Sequence, residues 1–358
     1  MTDVAVTDGA VSGRVYLDWN ASAPLRPQAR MAMAAALDAV GNPSSVHAEG
    51  RAARAIVERA RAQVAAATGC LAGEVVFTSG ATEAAALALA GRGLKGAAVE
   101  HDAVAAWIEP VLAVDGDGRV AVDDPGACVL QAANSETGVL QDLPPGLACV
   151  DAAQAVGRVP FAFDWSGARA ALVSAHKLGG PKGVGALLLA PGAAPEPRSR
   201  GGGQELGRRA GTENLAGIAG FGAAAEAAAA DLAAGVWDAV AEVRNILEQA
   251  LASAADMTIF VGKGARRLPN TSCVAVPGWK GETQVMQMDL AGFAVSAGSA
   301  CSSGRARPSR VLAAMGLGPA VAASAIRVTT GPATTRAEVL AFAGAWERHY
   351  RRFRARAA

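Results

Sequence analysis

The sequence carries almost no excess of charge of either sign. Lys and Arg total 33 and Asp and Glu total 32, which leaves a formal net charge of +1, and only 18% of the residues are charged. Binding to nucleic acid or to an anionic membrane surface depends on an excess of positive charge. The composition therefore predicts no nucleic-acid or membrane partner, and it favours small molecules or proteins as binding partners.

Signals for export are also missing. The N-terminal stretch "MTDVAVTDGAVSGRVYLDWN" has acidic residues where a secretory signal has a basic region followed by an apolar one. No segment is predicted to span a membrane. These features predict a soluble, cytoplasmic protein.

Cysteines are few, and their spacing pairs none of them. The five cysteines form no C-x-x-C pair and are odd in number, which disfavours a zinc site and a disulfide framework and predicts reduced thiols. Four of them lie in apolar runs or at the end of a helical pattern, as buried cysteines do: Cys70, Cys128, Cys149 and Cys273. Cys301 differs, because the small residues and arginines of "SAGSACSSGRARPS" show no hydrophobic periodicity.

What is present is a regular alternation of two kinds of segment. Short apolar runs such as "EVVFTSG", "LACVDAA" and "GVGALLLAP" alternate with alanine-rich helical stretches, a pattern typical of an α/β protein with a mainly parallel sheet. Residues 220–256 are helical in composition and interrupted at Gly235, and further short strands follow. We predict a large domain over residues 15–250 and a small α+β domain formed by residues 1–14 and 251–358, which carries Cys301 and Arg327.

The stretch "VVFTSGATEAAALAL" has the order expected of an anion site. A strand leads through small residues into a helix, so that the backbone N–H groups of Ala81 and Thr82 point outward beside Gly80 and the Thr82 hydroxyl adds another donor. A phosphate fits this arrangement. The alternative is an ordinary helix start capped by Ser79 or Thr82.

An aspartate and a lysine follow two other strands. Asp151 comes directly after the apolar run of "ACVDAAQAVGR", where it would face the ligand crevice or, as an alternative, cap a helix. Lysine occurs only at positions 95, 177, 182, 263 and 280, and Lys177 lies between the apolar run of "LVSAHK" and a Gly-Gly-Pro turn. Such a lysine can form a Schiff base. Ser174 and His176 could reach the same phosphate, although His176 taken alone would be a core histidine.

Together these parts predict a pyridoxal phosphate site. The lysine would bind the cofactor covalently, the aspartate would keep the pyridine nitrogen protonated, and the helix start would hold the phosphate. The combination is much more specific than any one motif.

The order of the motifs resembles the cysteine desulfurases of the NifS/IscS type, which belong to the class-V aminotransferase group. The resemblance runs from about residue 15 to residue 335 and is carried by "YLDWNASAPL", "GNPSSVH", "VFTSGATEA", "EHDAV", "NSETGV", "VDAAQAVGR", "SAHKLGGPKGVGAL", "GGGQELGRRAGTEN", "SAGSACSSGRARPSRVLAAMG" and "AIRVTTG". It implies the fold type I architecture of pyridoxal-phosphate-dependent transferases, with a large cofactor-binding domain and a smaller α+β domain.

The resemblance also implies roles for particular residues around the cofactor. Lys177 would hold pyridoxal phosphate covalently, Asp151 would pair with its pyridine nitrogen, Gln154 would bond its phenolic oxygen, and His101 would stack on its ring and take part in catalysis. Four residues would bind its phosphate: Ala81, Thr82, Ser174 and His176. A threonine from the neighbouring subunit completes the phosphate site in this family, and Thr212 matches it, so a homodimer is implied.

For the substrate, the resemblance implies that Asn134 and Arg327 hold the carboxylate of L-cysteine, although Arg327 would otherwise form a structural ion pair. Cys301 would take the substrate sulfur as a persulfide and pass it to an acceptor protein for iron–sulfur cluster or thio-cofactor synthesis, and L-alanine would be released. Nearby Arg305 and Arg307 would favour the thiolate.

The sequence departs from the family pattern at two of the quoted motifs. Gln204 replaces a common histidine and Ser135 replaces a common asparagine. The alternatives left open are another class-V reaction, such as transamination or selenocysteine cleavage, and a non-catalytic binding partner in sulfur assembly.

Overall fold

The architecture is taken from a computed structural model, which describes residues 6–7, 10–11, 13–298 and 309–357. Cys301, Arg305 and Arg307, which the sequence singles out, lie outside the described residues. The statements below concern the described part of the chain.

The centre of the molecule is a mainly parallel sheet, as the sequence predicts. Its five hydrogen-bonded strands have the spatial order β4 (Val75–Thr78), β10 (Gly185–Leu189), β9 (Ala170–Ser174), β8 (Cys149–Asp151) and β7 (Val129–Gln131). Strands β7, β8 and β9 are parallel, and β10 is antiparallel to both of its neighbours. A parallel bridge between Lys95 and Cys128 continues the sheet to β5 (Leu94–Ala97), which pairs in parallel with β6 (Ile108–Leu112).

The sheet is buried on both faces, and β9 shows how its sequence achieves this. Ala171 and Val173 pack into the core cluster on one face, whereas Ala170 and Leu172 pack into the cluster on the other. Alternate residues of a strand point to opposite faces, so a strand buried on both faces must be apolar throughout. The first face is covered by α1 (Pro27–Leu37), α2 (Ala48–Thr68) and α6 (Leu215–Ala233), and the second by α3 (Ala81–Leu89).

The predicted helical stretch with a break at Gly235 is confirmed. Helix α6 ends at Ala233 and α7 (Val236–Ala254) begins after Gly235, whose φ of +71° is readily adopted only by glycine. The prediction that no segment reaches the length of a membrane span is wrong for helix α6, which has the length and the apolar composition that such a span needs. Half of its most apolar stretch is buried, and it packs against α1 and α2, so its composition is that of a core helix.

A second, smaller sheet stands beside α7. Its antiparallel strands have the order β11 (Ile259–Phe260), β12 (Thr271–Ala275), β15 (Ala325–Thr329) and β14 (Ser296–Ala297). Helix α11 (Arg336–Ala357) packs on α7 and on α8 (Gly281–Leu290). The remaining described helices and strands are short: β1 (Val6–Thr7), β2 (Ala10–Val11), β3 (Val15–Tyr16), α4 (Asp102–Ala105), α5 (Phe163–Ser166), β13 (Phe293–Ala294), α9 (Arg310–Ala314) and α10 (Pro319–Ala322).

The packing bears on the predicted domain boundaries. Strand β3 pairs with β13. Val15 and Leu17 pack with Leu247 and Leu251 of α7 in a separate core cluster, which also contains residues of the smaller sheet and of α11. The division into residues 15–250 and residues 1–14 with 251–358 stays a prediction, and in this packing residues 15–17 and α7 accompany the smaller sheet.

Candidate active site

A cavity of about 530 Å³ opens where β7, β8 and β9 end. Gln131, Asp151 and Ser174, the last residues of these three strands, all line it. Ligands of parallel α/β sheets bind at the carboxyl ends of the strands, because the loops that follow them diverge there. Other polar or small residues of the lining are Asn20, Ser22, Ser79, Gly80, Ala81, Thr82, His101, Ser135, Gln154, His176, Lys177, Lys182 and Arg327.

One wall of the cavity is the N-terminus of α3. Gly80 occupies the N-cap position, with a φ of +155°, so neither Ser79 nor Thr82 caps the helix as the alternative required. The Ser79 amide donates to Glu83 Oε2 at 2.6 Å, and the Thr78 hydroxyl donates to the Gly80 carbonyl at 2.9 Å, which fixes the turn. Ala81 and Thr82 therefore present the positive end of the helix dipole to the cavity, where an anion is stabilised.

His176 lies on the same wall. It belongs to a 3-10 helix, Ala175–Lys177, and its Nδ1 lies 3.4 Å from Ser22 Oγ. Burial, with a smaller contribution from the charge of Lys177, lowers the pKa of His176 to about 4. The imidazole is consequently neutral at pH 7, and it can donate one hydrogen bond without adding charge.

Lys177 reaches into the cavity from the end of the same 3-10 helix. Its Nζ donates to the carbonyl oxygens of Asn20 at 2.7 Å and of Ala21 at 3.1 Å. The side chain is thus held by the loop that follows β3. The sequence offers no signal for this contact, since Asn20 and Lys177 are 157 positions apart.

Asp151 lies across the cavity at the end of β8. Its Oδ1 accepts the Ala153 amide at 3.0 Å, and residues 153–158 form turns, so the alternative of a helix cap is wrong. Asp151 also lies beside Gln131 in the register of β7 and β8. One carboxylate oxygen remains outside the turn, and Asp151 can accept a proton-bearing nitrogen from a ligand.

His101 lines the cavity from the start of α4. Its Nδ1 accepts the Ala103 amide at 3.1 Å, which caps the helix. In the neutral ring the proton is therefore on Nε2. This bond fixes the orientation of the imidazole.

Arg327 lines the cavity and also forms the structural ion pair that was its alternative role. It lines the cavity, and its Nη2 forms an ion pair with Asp18 Oδ1 at 2.8 Å while its Nη1 donates to the Ser135 carbonyl at 3.1 Å. Its Nε is buried and has no hydrogen-bond partner among the described residues. The structural ion pair is thus present, and donor capacity remains for a ligand.

Two predicted residues lie away from the cavity lining. Asn134 is buried, and its Oδ1 accepts the amides of Glu136 and Thr137, each at 2.9 Å, while its Nδ2 donates to the Val99 carbonyl at 3.1 Å. It holds the turn that presents Ser135. Thr212 is exposed on the loop before α6.

Comparison with known proteins shows which family the chain belongs to. The family model described as aminotransferase class-V matches residues 15–106 and 122–342. A cysteine desulfurase of Cereibacter sphaeroides is 40% identical, with 91% of this chain and 93% of the relative covered, and the cysteine desulfurase IscS of Dictyoglomus turgidum is 35% identical, with 91% of each covered. The chain belongs to the cysteine desulfurases of the class-V aminotransferase family. The structure of a NifS-like protein from Rickettsia africae ESF-5 agrees, with a TM-score of 0.85 at 29% identity over 94% of this chain and 99% of that one.

Cysteine desulfurases depend on pyridoxal phosphate, and the cavity of this family member fits that cofactor. It joins an anion-binding helix start, a lysine amine and a carboxylate at the ends of neighbouring segments. The backbone of β10 lies close to the turn before α3, because a Cβ at Gly185 would lie 2.8 Å from the Gly80 Cα. The predicted fold class, enzyme class and cofactor are thereby confirmed.

Three residues of this desulfurase site were missed by the sequence reading. Asn20, Gln131 and Arg158 are buried and polar, and the first two line the cavity. The sequence signal was weak: Asn20 and Gln131 are ordinary loop and strand residues by position, and Arg158 reads as a surface arginine after a glycine. Their placement depends on contacts between distant segments.

The four cysteines that the sequence assigns to the interior are free thiols with little access to solvent. Cys128, Cys149 and Cys273 are buried and Cys70 is half-buried. Burial raises the pKa of Cys70 to about 11 and that of Cys273 to about 12, and it also raises the pKa of Cys128 and Cys149. Among the residues that the structure covers, no cluster of His, Cys, Asp and Glu could hold a metal ion.

Proposed function

We propose that this desulfurase removes the sulfur of L-cysteine, releases L-alanine, and passes the sulfur through Cys301 to an acceptor protein. The observation that carries the proposal is the meeting of Lys177, Asp151 and the N-terminus of α3 in one cavity that Arg327 also lines. An amine, an acid, an anion cradle and a guanidinium suffice to bind the cofactor and an amino acid together.

The positions of the side chains around the cavity support the cofactor contacts that we propose. Ala81, Thr82, Ser174 and His176 would bind the phosphate, the neutral His176 as a single donor. Asp151 would hold the pyridine nitrogen in its protonated form, and Gln154 would donate to the phenolic oxygen. His101, fixed by its bond to the Ala103 amide, would pack on the ring. When bound, the cofactor supplies an electron sink that stabilises negative charge at the substrate Cα.

Lys177 has two tasks in this proposal. Its Nζ would hold the cofactor, and the lysine amine, once released, would move the proton at the substrate Cα. The carbonyl oxygens of Asn20 and Ala21, at 2.7 and 3.1 Å, offer the released amine a fixed resting position. Proton transfer by a positioned amine accelerates such steps by about 10²- to 10⁴-fold.

Arg327 binds the substrate carboxylate. Its unpartnered Nε and its Nη1 can turn to a ligand, while Asp18 keeps the guanidinium in place. The bonds of Asn134 to its own turn support an indirect contribution, through the position of Ser135. A direct bond from Asn134 to the carboxylate stays a prediction.

The sulfur leaves by attack of the Cys301 thiolate. A sulfur–sulfur bond forms as the carbon–sulfur bond of the substrate breaks, the electron pair passes to the substrate carbon skeleton, and uptake of a proton gives L-alanine. The neighbouring Arg305 and Arg307 in the sequence favour the thiolate form. The raised pKa of the other thiols supports Cys301 as the acceptor.

The protein is proposed to be a cytoplasmic homodimer. Thr212 is exposed and does not line the cavity of its own chain, which suits a residue that serves the cavity of a second copy. The near-zero net charge suits a soluble protein whose partners are small molecules and an acceptor protein.

The test measures sulfide and alanine formed from L-cysteine in the presence of a reductant. We expect equal amounts of both from the native protein and neither from Cys301→Ser, whereas the matched variant Cys70→Ser should retain activity. Full activity of Cys301→Ser would contradict the assignment.

The same preparations separate the rival functions. Lys177→Ala should lose the covalent attachment of the cofactor, detected by mass after borohydride reduction, whereas Lys263→Ala should keep it. Cofactor bound at Lys177 without sulfide or alanine would indicate another class-V reaction, and absence of bound cofactor from the native protein would indicate a non-catalytic partner.

A further inference from the structure

Beneath the cavity lies a buried arginine with no acidic partner. Arg158 is only 2% exposed, and in the described part of the chain no carboxylate lies within 4.0 Å of its guanidinium. The two other buried arginines in the ranges that the structure covers are paired, Arg61 with Glu205 and Arg327 with Asp18. An unpaired buried charge costs free energy, which neutral acceptors must offset.

Three of the four acceptors of Arg158 belong to residues that line the cavity. Nη1 donates to Asn20 Oδ1 and to Gln154 Oε1, both at 2.6 Å, and Nη2 donates to the carbonyl oxygens of Lys177 at 2.7 Å and of Trp19 at 3.3 Å. Burial lowers the pKa of Arg158 to about 9, so the guanidinium remains protonated at pH 7. A full positive charge therefore lies under the residues that face the cofactor.

The first consequence concerns Gln154. Arg158 donates to Oε1 of Gln154. If the Gln154 amide were flipped, its NH2 group would face the guanidinium, and two donors would oppose each other. Nε2 then donates one hydrogen to the Asn20 carbonyl at 3.1 Å. The second N–H of Nε2 is left for the cavity, which Gln154 lines.

The second consequence concerns Lys177. Arg158 binds the main-chain carbonyl of this lysine and also the side chain of Asn20, whose own carbonyl accepts the lysine Nζ. The guanidinium thus holds the main chain of Lys177 directly and the Nζ of Lys177 through Asn20. Asn20 is completely buried and donates to Ser135 and Thr271 as well, so the arrangement has little freedom to shift.

We propose that Arg158 is a positioning residue that directs a Gln154 N–H into the cavity, fixes Lys177, and places a positive charge beneath the cofactor. The proposal rests on the proposed function for the roles of Lys177 and Gln154. The charge favours an anionic phenolic oxygen and disfavours a proton on the lysine–cofactor linkage, because like charges repel. The other charged or titratable groups around the cavity are Lys182, His101, His176, Asp151, Arg327 and its partner Asp18.

The test compares Arg158→Gln, which removes the charge, with Arg158→Lys, which keeps it. The readout is the pH midpoint at which the visible absorption of the bound cofactor changes, together with cofactor affinity and the thermal midpoint of the cofactor-free chain. We expect Arg158→Gln to raise the pH midpoint by about one unit, as loss of a nearby positive charge does, and to weaken cofactor binding about 10-fold. Arg158→Lys should hold the midpoint near the native value and weaken binding less.

Arg267→Gln is the matched control. Arg267 is also largely buried, and it pairs with Glu248 away from the cavity lining. This variant should lower the thermal midpoint and leave the absorption midpoint unchanged. If Arg158→Gln behaves in the same way, its role is structural only and the proposal is overturned.

A double-mutant cycle tests the route through Gln154. Gln154→Ala and Arg158→Lys should each weaken cofactor binding, and the double variant should lose less than the sum of the two effects, because the residues share one contact. Additive losses would contradict an effect of Arg158 through Gln154. The cycle does not use Arg158→Gln, so it can be measured even if that variant does not fold. None of these readouts requires turnover, so a native protein that binds the cofactor but makes no sulfide would refute the proposed function and leave this test in force.

Discussion

At the scale of single residues, burial lowers the reactivity of the four cysteines of this desulfurase that the structure describes. The thiolate is the reactive form, and a raised pKa keeps a cysteine protonated at neutral pH. Cys70, Cys128, Cys149 and Cys273 all have a raised pKa because they are desolvated. Cys301 is flanked in the sequence by small and basic residues.

We predict that Cys301 is alkylated first when the native protein meets a small excess of iodoacetamide at pH 8. The physical reason is its larger thiolate fraction, whereas Cys70 with a pKa of about 11 is almost entirely protonated at that pH. Peptide mass mapping over time gives the order of labelling. Labelling of Cys70 ahead of Cys301 would contradict the prediction, and the denatured protein, in which all five cysteines should react, is the control.

At the scale of secondary-structure elements, the turn before α3 packs closely against Gly185 of β10. A Cβ at Gly185 of β10 would lie 2.6 Å from the Val173 carbonyl oxygen of β9 and 2.8 Å from the Gly80 Cα. Both neighbours are backbone atoms, which cannot turn aside as a side chain can. The small residue in β10 therefore sets the position of the turn that precedes α3.

We predict that Gly185→Ala weakens cofactor binding about 10-fold or more and also lowers stability, since overpacking of a core costs about 1–3 kcal/mol. Fluorescence titration with the cofactor and thermal unfolding measure the two effects. Gly116→Ala serves as the control, because a Cβ there meets nothing within 4 Å. Native cofactor affinity in Gly185→Ala would show that the turn before α3 can shift without weakening cofactor binding.

At the scale of the whole molecule, a half-buried carboxyl group joins the turn after β7 to the start of α9. Glu136, on the turn after β7, accepts the Ser309 hydroxyl at 2.5 Å, and a Cβ at Gly298 would lie 3.2 Å from its Oε2. Burial raises the pKa of Glu136 to about 7, more than the nearby Arg327 and Arg310 lower it. The folded protein therefore holds a proton here that the unfolded chain releases at lower pH.

The sign of the resulting pH dependence follows from the bound protons. Between about pH 4.5 and pH 7 the folded state binds more protons at Glu136 than the unfolded state does, so this group makes stability fall as pH rises. We predict that Glu136→Gln removes part of that fall, measured as the slope of the thermal midpoint against pH. His176 has the opposite effect, because its pKa in the folded protein is lowered to about 4. Between pH 4 and about 6.5 the unfolded state binds more protons at this group, so stability rises with pH.

His176→Gln is the matched variant for this measurement. It should remove stability that is gained with rising pH, so its slope should change in the opposite sense to that of Glu136→Gln. An unchanged slope in Glu136→Gln would mean that this carboxyl is ionised in the folded protein.

The fold and the centre of the site were accessible from the sequence because their signals are local. The apolar run before Asp151, the strand–turn–helix order around Gly80 and the position of Lys177 each depend on a few neighbouring residues. The roles of individual residues drawn from the resemblance remain predictions. Asn134 illustrates the limit, because the resemblance implies a substrate ligand there, whereas its bonds to the amides of Glu136 and Thr137 could not be predicted from the motif.

The sequence by itself determined the alternation of strands and helices, the break at Gly235 and the family, and it singled out Lys177 as a candidate, because propensity, periodicity and motif spacing act over short stretches. Only the tertiary structure decided that Asn20 accepts Lys177 across 157 positions, that Arg327 pairs with Asp18 across 309, and that Arg158 lies unpaired beneath the cavity. Such contacts depend on which segments packing brings together and on the burial that follows, and no local pattern encodes either.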